Sequence, residues 1–388
     1  MTSAGKRLAA VLAALALALA LLAECFLVLP GQSEHEEGRY YGAAYSGAKS
    51  ESVAFNTATA TEDTCFVLGS SELATMPWMV PQAPDAVFSA PDDGLDVCFI
   101  GEAYDQSLWH AIAAGAMDPS MPDKKLAFIV SPGWFEDAGL EPGIFKLRFS
   151  YNLYEGMCAN PAISEETKAY VRERLAQEGV EASVIESTAS PLPQNAINRL
   201  IYSGMADLYL RNSLQDVRAN APSRDDYAPN AMSGFNASDF AALREQARAD
   251  GASWCTNNDY FVYDEYWSTY IEPEYEQLEG SMVGETFSNE KEFADFSCFL
   301  DICEECGIDP LVIVMPLNGA WYDYAGTDPA DREAFYQRIE QMCADRGVTC
   351  ANYGSYEYEP YFMRDIMHFG WLGWAQVDED LWNYAKEA

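Results

Sequence analysis

The chain has 388 residues, 49% of them hydrophobic and 13% aromatic. That is room for one large domain or two ordinary ones around a sizeable core, and it excludes wholesale disorder. Against 23 basic residues stand 61 acidic ones, a formal net charge of -38; a polyanion of that size repels nucleic acid and anionic headgroups, so a nucleic-acid role is excluded.

Lys6 and Arg7 precede an apolar run over residues 8–29 that only Glu24 interrupts. About 20 residues at 1.5 Å each span a bilayer, so residues 1–30 read as one N-terminal transmembrane helix, a membrane anchor. The two leading positive charges predict a cytoplasmic N-terminus and an external remainder. A cleaved signal peptide or a lipoprotein signal are the alternatives. Leu22-Ala23-Glu24-Cys25 has a lipobox outline, but Glu24 stands where a small residue is wanted, which favours the uncleaved anchor. Nine of the ten cysteines follow the anchor. An oxidising exterior permits disulfides, and an odd count leaves at least one thiol free or paired outside the chain. Cys298 with Cys303 and Cys306 lacks the second pair or the nearby His that a zinc site needs, so no metal or cofactor is expected.

Residues 31–60 are rich in Gly, Ser, Ala, Glu and Thr without apolar periodicity and predict an extracytoplasmic spacer. From 61 to 388 short apolar runs (65–68, 95–100, 126–130 and 311–315) alternate with helical patterns (106–116, 164–179, 238–250, 289–307 and 328–347). Near-continuous apolar runs are the mark of parallel strands buried on both faces. The expectation is a doubly wound α/β domain, with a mainly helical insertion over about 145–285 where the strand signal fades.

Such sheets bind ligands outside the carboxyl ends of their strands, so the residues just after each run are the candidates. They are Gly69-Ser70-Ser71-Glu72, the loop opening at Gly101, Ser131-Pro132-Gly133-Trp134-Phe135, and Pro316 to Asp323 with Trp321 inside it. A hydroxyl nucleophile needs a base, usually histidine, and this chain has three. His35 falls in the spacer and reads as solvated. His110 falls in a helical pattern and reads as a packing residue. His368 stands three residues after Asp365, a spacing that lets the carboxylate orient the imidazole while its other nitrogen faces a serine. No Gly-x-Ser-x-Gly elbow occurs.

A serine at the first strand terminus, with Asp-x-x-His in the C-terminal tail, resembles the SGNH/GDSL hydrolase arrangement, with Gly69-Ser70-Ser71 in place of Gly-Asp-Ser. The flanks carry a closer resemblance. The anchor, Gly69-Ser-Ser-Glu-Leu73, Ile129-Val-Ser-Pro-Gly-Trp-Phe135, Asp264-Glu-Tyr-Trp267, Pro316-Leu-Asn-Gly-Ala-Trp-Tyr-Asp323 and Asp365-Ile-Met-His-Phe-Gly-Trp-Leu-Gly-Trp374 resemble the DltD family of teichoic-acid D-alanylation, over essentially the whole chain. Gly133 replaces the Gln of that family's Ser-Pro-Gln-Trp-Phe.

The resemblance implies a membrane-anchored, extracytoplasmic, flavodoxin-like three-layer α/β/α domain of SGNH type. It implies Ser71 as nucleophile, His368 as base and Asp365 as orienting acid, in D-alanyl transfer to teichoic acid beside a membrane-embedded acyltransferase fed by a D-alanyl carrier protein. The backbone N–H groups of Ser71 and Gly101 are then the expected oxyanion donors. Glu72 reads either as a reader of the D-alanyl ammonium or as a helix-start carboxylate. Trp134, Trp321, Trp371 and Trp374 are candidates for a pocket wall by cation–π contact, with core packing expected for at least two of them. An extracytoplasmic esterase, thioesterase or deacetylase on envelope glycans, and a non-catalytic scaffold, are the alternative functions.

Overall fold

A computed structural model describes residues 3–88, 95–139, 141, 143–189, 191–223 and 237–386. Five strands form one parallel sheet: β1 Thr64–Leu68, β2 Asp96–Ile100, β3 Lys125–Val130, β4 Asp309–Val314 and β5 Thr349–Asn352, in the order β2-β1-β3-β4-β5. This is the flavodoxin-like order, whose direction reverses between β1 and β3. Leu68 pairs with Ile100 and with Phe128, so the carboxyl ends of the three strands lie side by side.

Alternation within each strand divides the core in two. Phe66, Leu68, Phe128, Val130, Val312 and Val314 face one helical layer. Its main helices are α2 Ser107–Met117, α8 Glu290–Cys306 and α10 Pro329–Ala344. Cys65, Val67, Val97, Phe99, Ile129 and Ile313 face the other. Its main helices are α7 Ala237–Trp254 and α11 Trp371–Lys386. Both faces being covered is what makes the strand sequences continuously apolar.

The four apolar runs fall on β1 to β4. β5 escaped because Thr-Cys-Ala-Asn is a partly exposed edge strand with no apolar run. Between β3 and β4 lie the helices α3 Tyr151–Ala159, α4 Glu165–Gln177, α5 Ala182–Ala189, α6 Pro193–Asn220 and α7. The last of these packs along α11 and buries Phe240, Leu243 and Ala247 in the same apolar cluster, so the segment expected as an insertion also supplies part of a layer.

Residues 31–60 depart from a free spacer. Tyr40, Lys49, Ser50, Ser52 and Phe55 are buried, with short helices at Gly47–Ser50 and Val53–Thr57. Ala48, Tyr41 and Phe55 pack on Leu210, Leu214 and Val217 of α6. A few aromatic side chains anchor a segment whose composition otherwise looks like a linker.

The N-terminal residues form one helix, α1 Ser3–Val28. Among the described residues no helix is long and apolar enough to cross a membrane. The side chains of Leu19, Leu21, Leu22, Cys25 and Phe26, on which the anchor and the lipobox readings partly fall, lie outside the described residues. The nine cysteines after α1 are free thiols.

Candidate active site

β1 ends at Leu68, and a single 3₁₀ turn, Ser71–Leu73, follows. Two glycines let the chain turn there. A Cβ on Gly69 would meet Glu72 Oε1 at 2.5 Å, and one on Gly101, at φ +135°, would lie 1.7 Å from the Gly69 carbonyl oxygen. Only residues without a side chain allow the ends of β1 and β2 to approach this closely. The turn presents Ser71 outward. Ser70 points inward, 2% exposed, and its hydroxyl donates to the Glu102 carbonyl at 3.3 Å.

The C-terminal tail arrives from the far end of the chain. Arg364 N–H donates to the His368 carbonyl at 3.0 Å, closing a tight loop. Inside it Asp365 Oδ1 accepts the backbone N–H of Met367 and of His368, each at 2.9 Å. These bonds fix the carboxylate, which then meets His368 Nδ1 at 2.9 Å through Oδ2 and at 3.1 Å through Oδ1. His368 Nε2 lies 2.9 Å from Ser71 Oγ. Burial pushes the Asp365 carboxyl up. The charge and hydrogen bond of His368, with Arg364 behind, outweigh it and hold the group down at about 2. With Nδ1 bound to a carboxylate that stays ionised, Nε2 of a neutral ring is the acceptor that faces the serine hydroxyl.

Sequence reasoning missed two contributors. Arg364, buried, sets its Nε 3.4 Å from Asp365 Oδ2, and its adjacency to Asp365 was the available signal. Ser50, in the expected spacer, accepts the Gly101 N–H at 2.9 Å. The Gly101 N–H, expected as an oxyanion donor, is donated to Ser50 in this structure, and the position has no room for a side chain.

The other candidates, Glu72 and the four tryptophans, are buried. Glu72 is 2% exposed and folds back to accept the Ser70 N–H at 2.7 Å, and burial raises its pKa. It braces the turn from beneath. Trp134 stacks against both His110 and Phe128, at centroid distances of 5.9 Å, and Trp321, on the short helix α9 Gly319–Ala325, meets Tyr260 edge-on at 5.7 Å. Both belong to the core under the sheet. Trp371 and Trp374 are buried on the opposite face, and Trp371 Nε1 donates to the Met79 carbonyl at 2.8 Å, tying the tail to the segment after Ser71. Gly133 is exposed, with only Ser131 Oγ near its Cβ position at 3.8 Å, so a glutamine would fit there.

The two remaining histidines stand away from this line. His110 is fully buried on α2 against Phe128, and burial lowers its pKa to about 3. His35 is not solvated as expected: it stacks on Phe55 at 4.2 Å, and burial lowers its pKa.

A doubly wound parallel α/β domain with a serine, a histidine and an aspartate in line at the carboxyl end of its central strands is the class that fold and site define. The sequence model of the DltD protein family matches residues 43–386. The chain belongs to the DltD family. It is 27% identical over 333 residues to Protein DltD of Bacillus subtilis (strain 168), covering 82% of each chain. It is 25% identical over 323 residues to Protein DltD of Staphylococcus aureus (strain NCTC 8325 / PS 47), covering 82% of this chain and 80% of that one. Family membership supports a role in teichoic-acid D-alanylation.

Proposed function

We propose that the protein transfers D-alanyl groups to teichoic acid at the outer face of the membrane, by serine-based acyl transfer of SGNH type. The observation that carries this reading is the unbroken line from Asp365 through His368 to Ser71, with 2.9 Å at each junction. A binding module has no need of it. In the proposed step the Ser71 hydroxyl attacks the carbonyl of a D-alanyl thioester or ester, and His368 Nε2 takes its proton. The proton then passes to the leaving sulfur or oxygen as that bond breaks. A teichoic-acid hydroxyl attacks the resulting ester and gives its proton to His368, which passes it to Ser71 Oγ as the acyl–serine bond breaks, restoring the free hydroxyl. Asp365 keeps the imidazole in the working tautomer and stabilises its cationic form. The Ser71 N–H, at the start of its turn, is the oxyanion donor this reading retains.

The same reading makes α1 the anchor, with its N-terminus cytoplasmic, and makes a membrane-embedded acyltransferase the donor's neighbour. Hydrolysis of an envelope ester uses the same line with water as acceptor; the difference lies in which acceptor reaches the acyl-enzyme.

A fluorophosphonate probe on the full chain in detergent tests the chemistry. Ser71→Ala is expected to abolish labelling and Ser70→Ala to leave it, since the Ser70 hydroxyl is turned inward. Asp365→Asn is expected to slow labelling by on the order of 10⁴-fold, through the wrong tautomer. Labelling that survives Ser71→Ala sinks the reading.

A further inference from the structure

Helix α6 spans 28 residues, about 42 Å at 1.5 Å per residue. Its two halves present opposite chemistry to the outside. In the N-terminal half the side toward α3 is mostly polar and only partly covered: Arg199, its side chain 48% exposed, and Ser203 both bond Glu155 of α3 at 2.7 Å each, and Tyr202 meets Tyr151 at 5.4 Å. The outward side carries Ile197, Leu200, Ile201, Met205 and Tyr209, with Leu200 75% and Met205 65% exposed. Spacings of three and four put these five on one face. In the C-terminal half the order is the ordinary one. Leu210, Leu214 and Val217 are buried, and Asn212, Gln215 and Asp216 face outward.

The change from apolar to polar falls at residues 209–212, which is where the end of α1 arrives. Glu24, Val28 and Leu29 line a common groove with Met205, Leu208, Tyr209 and Asn212, and Glu24 is its one charged residue. Farther toward its N-terminus α1 exposes Leu8, Leu12 and Leu15. The apolar surfaces of α1 and of α6 thus belong to helices that meet at this groove, and the polar half of α6 begins there. A water-facing helix has no reason to be built inside out, and an apolar stripe rimmed by polar residues marks an interaction surface.

We propose that the N-terminal half of α6 lies in the lipid headgroup–acyl boundary of the membrane that α1 enters, a second, interfacial contact that holds the domain at a fixed tilt. The inference rests on the reading of α1 as an anchor. Lipid is the occupant because the stripe continues the surface of α1 from the point where that helix ends. Tyr209 stands at the edge of the stripe, where aromatic residues favour the membrane interface. The strong acidity of the chain does not oppose this contact locally, since α6 carries Arg199, Arg211 and Arg218 against Asp207 and Asp216.

The test places a photo-crosslinking benzoylphenylalanine at position 200, 205, 216 or 12 of the full chain in vesicles of phosphatidylcholine and phosphatidylglycerol, and reads the adduct by mass. The expected result is a lipid adduct at positions 200 and 12, with at least tenfold less at position 216. Lipid at 12 but none at 200 overturns the proposal and leaves the anchor standing. Lipid at neither position overturns both. An adduct at 200 to a second copy of the chain, or to another protein when native membranes replace the vesicles, assigns the stripe to a protein partner and overturns the lipid contact. Leu200→Glu, at an exposed position, keeps the fold and is expected to lower crosslinking at position 205 at least fivefold; unchanged crosslinking there counts against the proposal.

Discussion

Asp365 and His110 show two opposite uses of burial at single residues. Both are enclosed, but Asp365 meets a histidine, an arginine and two backbone N–H groups, and stays ionised to about pH 2. His110 meets Phe128, Trp109 and Trp134, and stays neutral down to about pH 3. The sign of the linkage differs from that of a paired histidine. Unfolded His110 takes a proton near pH 6.5 and folded His110 does not, so its contribution to stability is whole above pH 6.5 and is lost as the pH falls toward 3. One proton is worth about 1.4 kcal/mol per pH unit, or about 2 kcal/mol by pH 5. His110→Leu removes that titration. Urea unfolding of both proteins at pH 8 and pH 5 is expected to show the variant gaining about 2 kcal/mol on the wild type at the lower pH. A constant difference between them counts against a neutral buried ring.

At the scale of elements, the site depends on how α11 docks. The tail Phe369-Gly370-Trp371-Leu372-Gly373-Trp374 looks like an aromatic recognition motif in sequence, yet its aromatics are packed inside and its glycines are contact points. A Cβ on Gly373 would meet the Phe362 carbonyl oxygen at 2.3 Å and Phe369 Cδ1 at 2.8 Å; on Gly370 it would meet the Tyr361 carbonyl oxygen at 2.6 Å. These approaches press the start of α11 against the loop that holds Asp365 and His368. Gly373→Ala is therefore expected to cost about 1–3 kcal/mol by overpacking. It is also expected to slow fluorophosphonate labelling in the molecules that remain folded, because the loop carrying His368 has to move. Thermal unfolding and labelling rate per folded molecule measure the two effects. An unchanged labelling rate alongside lost stability separates the helix contact from the geometry of the site.

At the scale of the whole molecule, the segment before β1 belongs to the domain. Tyr40, Tyr41 and Phe55 are buried, and Ser50 holds the Gly101 N–H beside the turn that carries Ser71. Full burial of a large apolar side chain is worth about 1.5–3 kcal/mol, so removing all three is expected to cost roughly 5 kcal/mol. A fragment of residues 31–388 is expected to unfold cooperatively in urea, and a fragment of 61–388 at a markedly lower midpoint. Equal midpoints would return residues 31–60 to the status of a linker. The reason this escaped notice in the sequence is general: three aromatics dispersed among Gly, Ser and Glu carry no period, and only their partners on α6 and β2 reveal them. By contrast the parallel strands announced themselves, because burial on both faces leaves no room for polar residues, and helices between them followed from the 3.6-residue period. Asp365 and His368 could be paired from their spacing, since a three-residue loop brings their side chains together by local geometry alone. Ser71 was legible as a candidate because strand ends are where such sheets place ligands. What only the tertiary structure decided is everything that depends on distance through space. It turned Ser71 and not Ser70 toward His368, gave the Gly101 N–H to Ser50, and buried Glu72 and the four tryptophans, for which the sequence left both a ligand role and a packing role open. Side-chain direction at a strand terminus, and the partner a buried polar group finds, are set by packing between segments up to 297 residues apart, and no local pattern encodes them.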